Sequence, residues 1–234
     1  MGVVVAVEGL DGAGKATLVD ALGRAARARG ASVATLAFPR YDDDVHAALA
    51  GEALHGEHGD TAASVHAMAL LFALDRRAAA GHIDDLRHAN DLVLVDRYVA
   101  SNAAYGSARL HQGVGEFAAW VRATEIERFA VPAPDAQVLV RVPPELAAER
   151  VRERARTAPD RDPDGFEADA ALQQRCAEVY DRLAAGHWWS PWWVAENRHS
   201  GDEALTRTAD AVISAVLTAE FAPGSSVRSD TIET

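Results

Sequence analysis

The sequence predicts an α/β fold: a central parallel five-stranded sheet with helices on both faces. Three observations carry this. Short, wholly apolar runs read as buried strands. Ala- and Leu-rich stretches with helical spacing lie between them. The two kinds alternate along the chain. Parallel strands are covered on both faces, so they need no apolar–polar alternation, and helical crossovers are what joins them.

Residues 3–7, four of them Val, form the first strand and end at Glu8-Gly9. A glycine-rich turn follows, then a helix over 17–29 that stops at Gly30. Residues 32–38 read as a second strand ended by Pro39. An Ala-rich stretch over 61–77 has the spacing of a helix, and 91–96 is again a short buried strand. Helix over 114–129, strand over 137–142, and helices over 144–156 and 166–185 continue the alternation. The last strand is expected at 192–195 and a closing helix at 203–219. Residues 157–165, with Pro159 and Pro163, interrupt two helices and read as a mobile loop. There is no internal repeat and no linker. One domain over 1–222 is expected, with a polar, disordered tail at 223–234.

The 234 residues suffice for an α/β domain with a sizeable core. Acidic residues number 35 and basic residues 23, giving a net charge of −12, which disfavours a general binder of nucleic acid or anionic membrane. Cys176 is the only cysteine, so an internal disulfide framework and a multi-Cys zinc site are excluded. The longest strongly apolar run, 65–74, is too short to span a bilayer, and the N-terminus lacks the features of a secretory signal. A soluble, cytoplasmic protein is expected.

Of the 23 basic side chains, 22 are Arg, and Lys15 is the single Lys. It stands in Gly9-Leu10-Asp11-Gly12-Ala13-Gly14-Lys15-Ala16-Thr17, a G-x-x-x-x-G-K phosphate-binding loop. Only two of the glycine pairs are spaced five apart, Gly9/Gly14 and Gly51/Gly56, and Lys15 directly follows the first. Glycines let the backbone N–H groups turn inward, and the next helix adds its positive end. Gly9, Asp11, Gly12, Ala13, Gly14, Lys15, Ala16 and Thr17 are thus the residues expected to bind the phosphates of a nucleotide, with Lys15 as a compact charge on the β- and γ-phosphates. Ala16 departs from the pattern, which has a Mg²⁺-ligating hydroxyl there. Thr17 could substitute, or carboxylates could hold the metal; Asp11 and Asp96 are the near candidates. Asp96 ends an apolar strand, the Walker-B arrangement, although a helix N-cap is the other reading of that position.

A phosphate loop alone leaves ATPase, GTPase, motor and small-molecule kinase open. A guanine-reading Asn-Lys-x-Asp element is impossible with the only Lys inside the loop. The Arg-rich stretch Arg150, Arg152, Arg154, Arg156 and Arg161 reads either as a solvated helix face, given Glu149, Glu153 and Asp160, or as a lid closing over ATP.

The segments Phe38-Pro39-Arg40-Tyr41, Phe72-x-x-Asp75-Arg76 and Asp96-Arg97-Tyr98-x-x-Ser101-Asn102-x-x-Tyr105 occur in order. With Glu8-Gly9-Leu10-Asp11 ahead of the phosphate loop, they make the chain resemble the thymidylate kinases, a P-loop nucleoside monophosphate kinase family, over roughly residues 3–200. The likeness is closest to actinobacterial members. The resemblance implies the P-loop kinase fold with a lid at about 150–167, and transfer of the γ-phosphoryl group of ATP to dTMP in dTTP biosynthesis. It implies a dTMP site of Asp11, Phe38, Arg40, Tyr41, Phe72, Arg76, Arg97, Ser101, Asn102 and Tyr105. In that site Phe72 stacks on the base, Arg76 donates to thymine O4, and Asn102 and Ser101 serve the rest of the base edge. Tyr105 excludes a ribose 2′-OH, Asp11 meets the 3′-OH, and Arg97, with Arg40 and Tyr41, holds the phosphate. Because Gly12 and Ala13 offer no Arg in the loop, the lid must supply one, with Arg154 and Arg161 the candidates beside Lys15, Asp11 and Arg97. Mg²⁺ is the implied cofactor, with Asp11, Asp96 and Glu167 on the metal side, and a homodimer is implied. Gly106 stands where the family pattern leads one to expect a polar residue. The alternatives are a kinase for another nucleoside monophosphate and a degenerate P-loop sensor, the latter favoured only by Ala16. His55 and His58 read as a surface turn, Trp188–Trp193 as packing around the last strand, and Cys176 as an unreactive helical thiol.

Overall fold

The computed structural model describes residues 1–157, 169–197 and 203–218. Strands Val3–Glu8 (β1), Val33–Ala37 (β2), Leu92–Asp96 (β3), Ala136–Arg141 (β4) and Trp192–Glu196 (β5) form one sheet in the order β2-β3-β1-β4-β5. Every neighbouring pair is parallel. Val4 to Val7, Leu92 to Val95 and Val138 to Val140 are buried, as expected for strands covered on both sides. Helices Lys15–Ala28 (α1) and Glu203–Leu217 (α9) pack together, as do Val99–Arg109 (α5) and Ala170–Ala185 (α8).

The predicted helix over 61–77 is two pieces, a 3₁₀ turn Thr61–Ala63 and then Val65–Ala78 (α3). Ser64 separates them because its Oγ accepts from Ala67 N–H at 3.2 Å and caps the second piece. The predicted helix over 114–129 is the short Glu116–Val121 (α6) running into a π turn, Arg122–Arg128. Three helices lay outside the sequence reading: Val45–Leu54 (α2), capped by Asp44, then Ala80–Ala89 (α4), and α5 inside the Asp96–Tyr105 motif. Helix Pro144–Thr157 (α7) leads out of β4. Most of the lid stretch, with Arg161 and Glu167, and the tail 223–234 lie outside the described residues.

The side features sort as packing. Trp189 stacks on Tyr98 with ring centroids 5.9 Å apart, and Trp192 and Cys176 are buried. Burial pushes the Cys176 thiol pKa up, away from the reactive thiolate. His58 lies on the surface, 2.6 Å from Glu52 Oε2.

Candidate active site

The phosphate loop and the Asp96–Tyr105 motif meet at the C-terminal ends of β1 and β3, where an open parallel sheet leaves room for ligands. The phosphate loop leaves β1 and enters α1 through Gly14, whose φ of +96° suits glycine. Gly14 has no capping side chain, so the first N–H groups of α1 are offered to an anion. Two close approaches shape the loop. A Cβ on Gly12 would lie 2.3 Å from Ala147 O, so glycine lets α7 rest directly on the loop. A Cβ on Gly14 would lie 2.6 Å from Asn197 Nδ2, which donates to Ala13 O at 2.6 Å. Asn197, just past β5, thereby ties the loop to the sheet.

Lys15 is 8% exposed, and its Nζ donates to Leu10 O at 2.8 Å and Gly9 O at 3.3 Å. Burial and the Arg97 charge depress its pKa, Asp11, Asp96 and Glu8 oppose them, and the balance is about 8. Asp11 accepts from Arg97 Nη2 through one oxygen and from Tyr105 OH at 2.7 Å through the other. Burial raises its pKa, but the Arg97 and Lys15 charges and these two hydrogen bonds outweigh that and hold it at about 2. Arg97 follows β3 with φ +62°, an uncommon conformation outside glycine, and is anchored by its N–H to Val7 O at 2.9 Å. Its guanidinium lies over the Tyr105 ring at 5.6 Å. The phosphate loop and the Asp96–Tyr105 motif are therefore one bonded unit, centred on Asp11.

Asp96 ends β3 as expected, and it does not cap α5, whose N-cap is Tyr98 with no side-chain bond. Its Oδ1 is buried without a partner. A buried carboxylate oxygen left unpaired among the phosphate-binding groups suits a hard divalent cation, so the donor set fits Mg²⁺. Ala16 and Thr17 are exposed.

On the acceptor side, Arg40 is half-buried and committed to Asp75. Its Nε donates to Asp75 Oδ1 at 2.7 Å, its N–H to Oδ2 at 3.0 Å and its Nη2 to Asp75 O at 2.9 Å. Phe38 belongs to the main core, 4% exposed with its ring 5.8 Å from that of Tyr98. Phe72 is partly buried against a smaller cluster of Ala50, Ala53 and Met68, and Tyr41 is exposed. Ser101 Oγ donates to Glu8 Oε2 at 2.7 Å. Arg76 is 3% exposed and pairs in a fork with Glu125, Nε to Oε2 at 2.6 Å and Nη2 to Oε1 at 2.8 Å. Asn102 Nδ2 donates to Glu125 Oε1 at 2.7 Å and to Ala69 O at 2.8 Å. Arg154 lies on the exposed side of α7.

Several side chains have supporting roles that the sequence reading did not assign. Glu8 is wholly buried and accepts from Tyr98 N–H, Ser101 Oγ and Tyr180 OH, so it joins β1, α5 and α8. Burial raises its pKa against those hydrogen bonds. Glu125 and Asn197 were also missed, as was the clamp by Asp75 on Arg40. Glu125 lies in an Arg-Ala-Thr-Glu-Ile-Glu-Arg run that reads as an ordinary charged helix, and nothing in the run separates it from Glu127.

The sequence model of the family described as thymidylate kinase matches residues 7–196. The chain is 57% identical to a thymidylate kinase of Mycobacterium tuberculosis over 192 residues, 82% of this chain and 90% of that one. It is 32% identical to a probable thymidylate kinase of Archaeoglobus fulgidus over 160 residues, 67% and 72% of the two chains. With a thymidylate kinase of Caenorhabditis elegans it shares 30% over 200 residues, 80% and 81% of the two chains.

Proposed function

The chain belongs to the thymidylate kinase family, and on that premise we propose that it transfers the γ-phosphoryl group of ATP to dTMP, giving dTDP and ADP in nucleotide biosynthesis. It is a phosphotransferase acting on dTMP. The observation that carries the residue assignment is the Asp11 junction. One carboxylate at the phosphate loop accepts from both Arg97 and Tyr105, so donor-side and acceptor-side groups share one site.

The base side has the polarity that thymine requires. With Nε and Nη2 of Arg76 spent on Glu125, Nη1 remains to donate. With Nδ2 of Asn102 spent on two acceptors, Oδ1 remains to accept. Thymine offers an O4 acceptor and an N3–H donor, whereas cytosine offers the reverse. Phe72 serves as the stacking surface, Phe38 backs the base from the core, and Ser101 supports the site through Glu8. Tyr105, held on Asp11, occupies the sugar side. Arg97 takes the acceptor phosphate, with Arg40 and Tyr41 beside it.

No general base is needed, because a phosphate monoester with its second pKa near 6 is largely dianionic at neutral pH. An oxygen of that phosphate attacks the γ-phosphorus, the bond to the β,γ-bridging oxygen breaks, and ADP departs with the electron pair. Lys15 holds the β- and γ-phosphates, the α1 N-terminus and loop N–H groups hold the donor in line, and Arg97 neutralises the incoming phosphate. Arg154 and Arg161 are the proposed lid cations. Mg²⁺, when bound, neutralises charge on the transferred and leaving oxygens; Asp96 and Asp11 would hold it, with Glu167 assisting. We also assign a homodimer and a cytoplasmic location on the strength of the family likeness; no helix among the described residues is long and apolar enough to cross a membrane.

An acceptor panel of dTMP, dUMP, UMP, CMP and AMP in a coupled assay tests the function. dTMP is expected to give the highest kcat/KM, and a preference for UMP or CMP would overturn the roles of Arg76 and Tyr105.

A further inference from the structure

We infer that Glu125 is the residue that sets the acceptor base specificity, acting through Arg76 and Asn102 as a positioning residue. The inference rests on the dTMP reading above and deepens it.

An isolated Asn amide has no intrinsic polarity at a binding site: a flip about its last bond exchanges a donor for an acceptor. Here the flip is blocked from two directions. Glu125 Oε1 and Ala69 O both lie within hydrogen-bond distance of Asn102 Nδ2, at 2.7 and 2.8 Å, and both only accept. Turning the amide would place Oδ1 against two oxygens, one of them charged. Oδ1 is therefore forced outward as the acceptor. The same carboxylate takes Nε and Nη2 of Arg76, which aims the planar guanidinium and leaves Nη1 as its uncommitted donor. One side chain thus fixes both members of the donor–acceptor pair that meets the base.

The carboxylate is itself held. Glu125 is 1% exposed and sits in the π turn Arg122–Arg128, where Phe129 N–H bonds back to Thr124 O at 3.0 Å and Val131 N–H to Glu125 O at 3.1 Å. Widened turns of this kind redirect side chains and recur at functional sites. Thr124 and Glu125 point into the protein, while Arg122, next to α6, stays exposed.

Glu125→Gln keeps the shape and substitutes an amide. In one orientation its oxygen keeps Arg76 Nη2 and Asn102 while its nitrogen meets Arg76 Nε; in the other its oxygen keeps Arg76 Nε while its nitrogen faces Asn102, which invites the flip that presents Nδ2 to the base. The measurement is the ratio of kcat/KM for dTMP over dCMP, in the wild type and in Glu125→Gln, alone and combined with Asn102→Ala. The wild type is expected to favour dTMP. Glu125→Gln is expected to shrink that ratio by about 10- to 100-fold, the usual effect of one mismatched buried polar partner. In the Asn102→Ala background the same change should have a much smaller effect, which a merely structural role for Glu125 would not produce. Should Glu125→Gln fail to fold, Glu125→Asp carries the comparison, because it keeps the charge for Arg76 and withdraws from Asn102. A variant that retains the wild-type ratio would overturn the inference while leaving the dTMP reading intact. A wild-type preference for dCMP would overturn both.

Discussion

Gly106 occupies a position where a polar residue was expected, and the structure turns that departure into a measurable prediction. It lies inside α5, with the ring of Phe117 from α6 directly over it. A Cβ there would sit 1.9 Å from Phe117 Cε1, 2.3 Å from Cζ and 2.7 Å from Cδ1. Carbon atoms rest at about 3.5–4.0 Å, so the ring would have to retreat by about 1.5 Å or more. Phe117 has nowhere to go: it is 2% exposed, with the Trp120 ring 5.3 Å away and the His66 ring 5.1 Å away. Overpacking of this kind costs about 1–3 kcal/mol. Serine regains about 0.5 kcal/mol of that, because glycine is a poor helix former. Gly106→Ser should therefore lose about 0.5–2.5 kcal/mol net, which for a chain of this size is a fall in Tm of about 1–10 °C. Differential scanning calorimetry reads it, and Phe117→Leu in the same chain should recover most of the loss by making room. An unchanged Tm, or a loss that Phe117→Leu does not relieve, would refute the packing argument. A gain in dTMP affinity would show that position 106 serves the sugar after all.

Three further outcomes are expected. Lys15 has a pKa of about 8 without nucleotide, and polyphosphate oxygens favour its charged form and raise that value. ATP binding above pH 8 must then take up a proton and weaken about tenfold by pH 9; titration calorimetry in two buffers checks this, and pH-independent binding without proton uptake contradicts it. Asp96→Asn should raise the Mg²⁺ concentration for half-maximal rate about tenfold or more while dTMP binding holds, and an unmoved Mg²⁺ curve would remove Asp96 from the metal side. Asn197→Ala releases Ala13 O from its 2.6 Å hydrogen bond, so KM for ATP should rise about 5- to 10-fold with KM for dTMP steady; equal rises in both would mean a general loosening instead.

Much of the candidate site was legible because its signals are local. The run Gly9 to Lys15 carries its chemistry in consecutive residues, and the strand before it and helix after it are visible in five to fifteen neighbours. The Asp96–Tyr105 motif fits on one strand end and one helix, so it too survives reading along a line. Boundaries failed where a side chain intervened: Ser64 capped α3 and split a stretch of uniform helical spacing.

What remained invisible were the partners. Glu125 is 49 residues from Arg76, Asn197 is 184 from Ala13, and Tyr180 is 172 from Glu8. A Glu on a helix and an Asn after a strand look the same whether they face water or a buried guanidinium. The sequence by itself determined the alternation of strands and helices, the phosphate loop with its single Lys, and the family. Those follow from apolar periodicity and from residue types at short fixed spacing. Only the tertiary structure decided which carboxylate orients Arg76, which side chain ties down the loop, and that Asp11 bonds both Arg97 and Tyr105. Hydrogen bonds and burial are properties of atoms brought together by the fold, and residue order carries no distance between them.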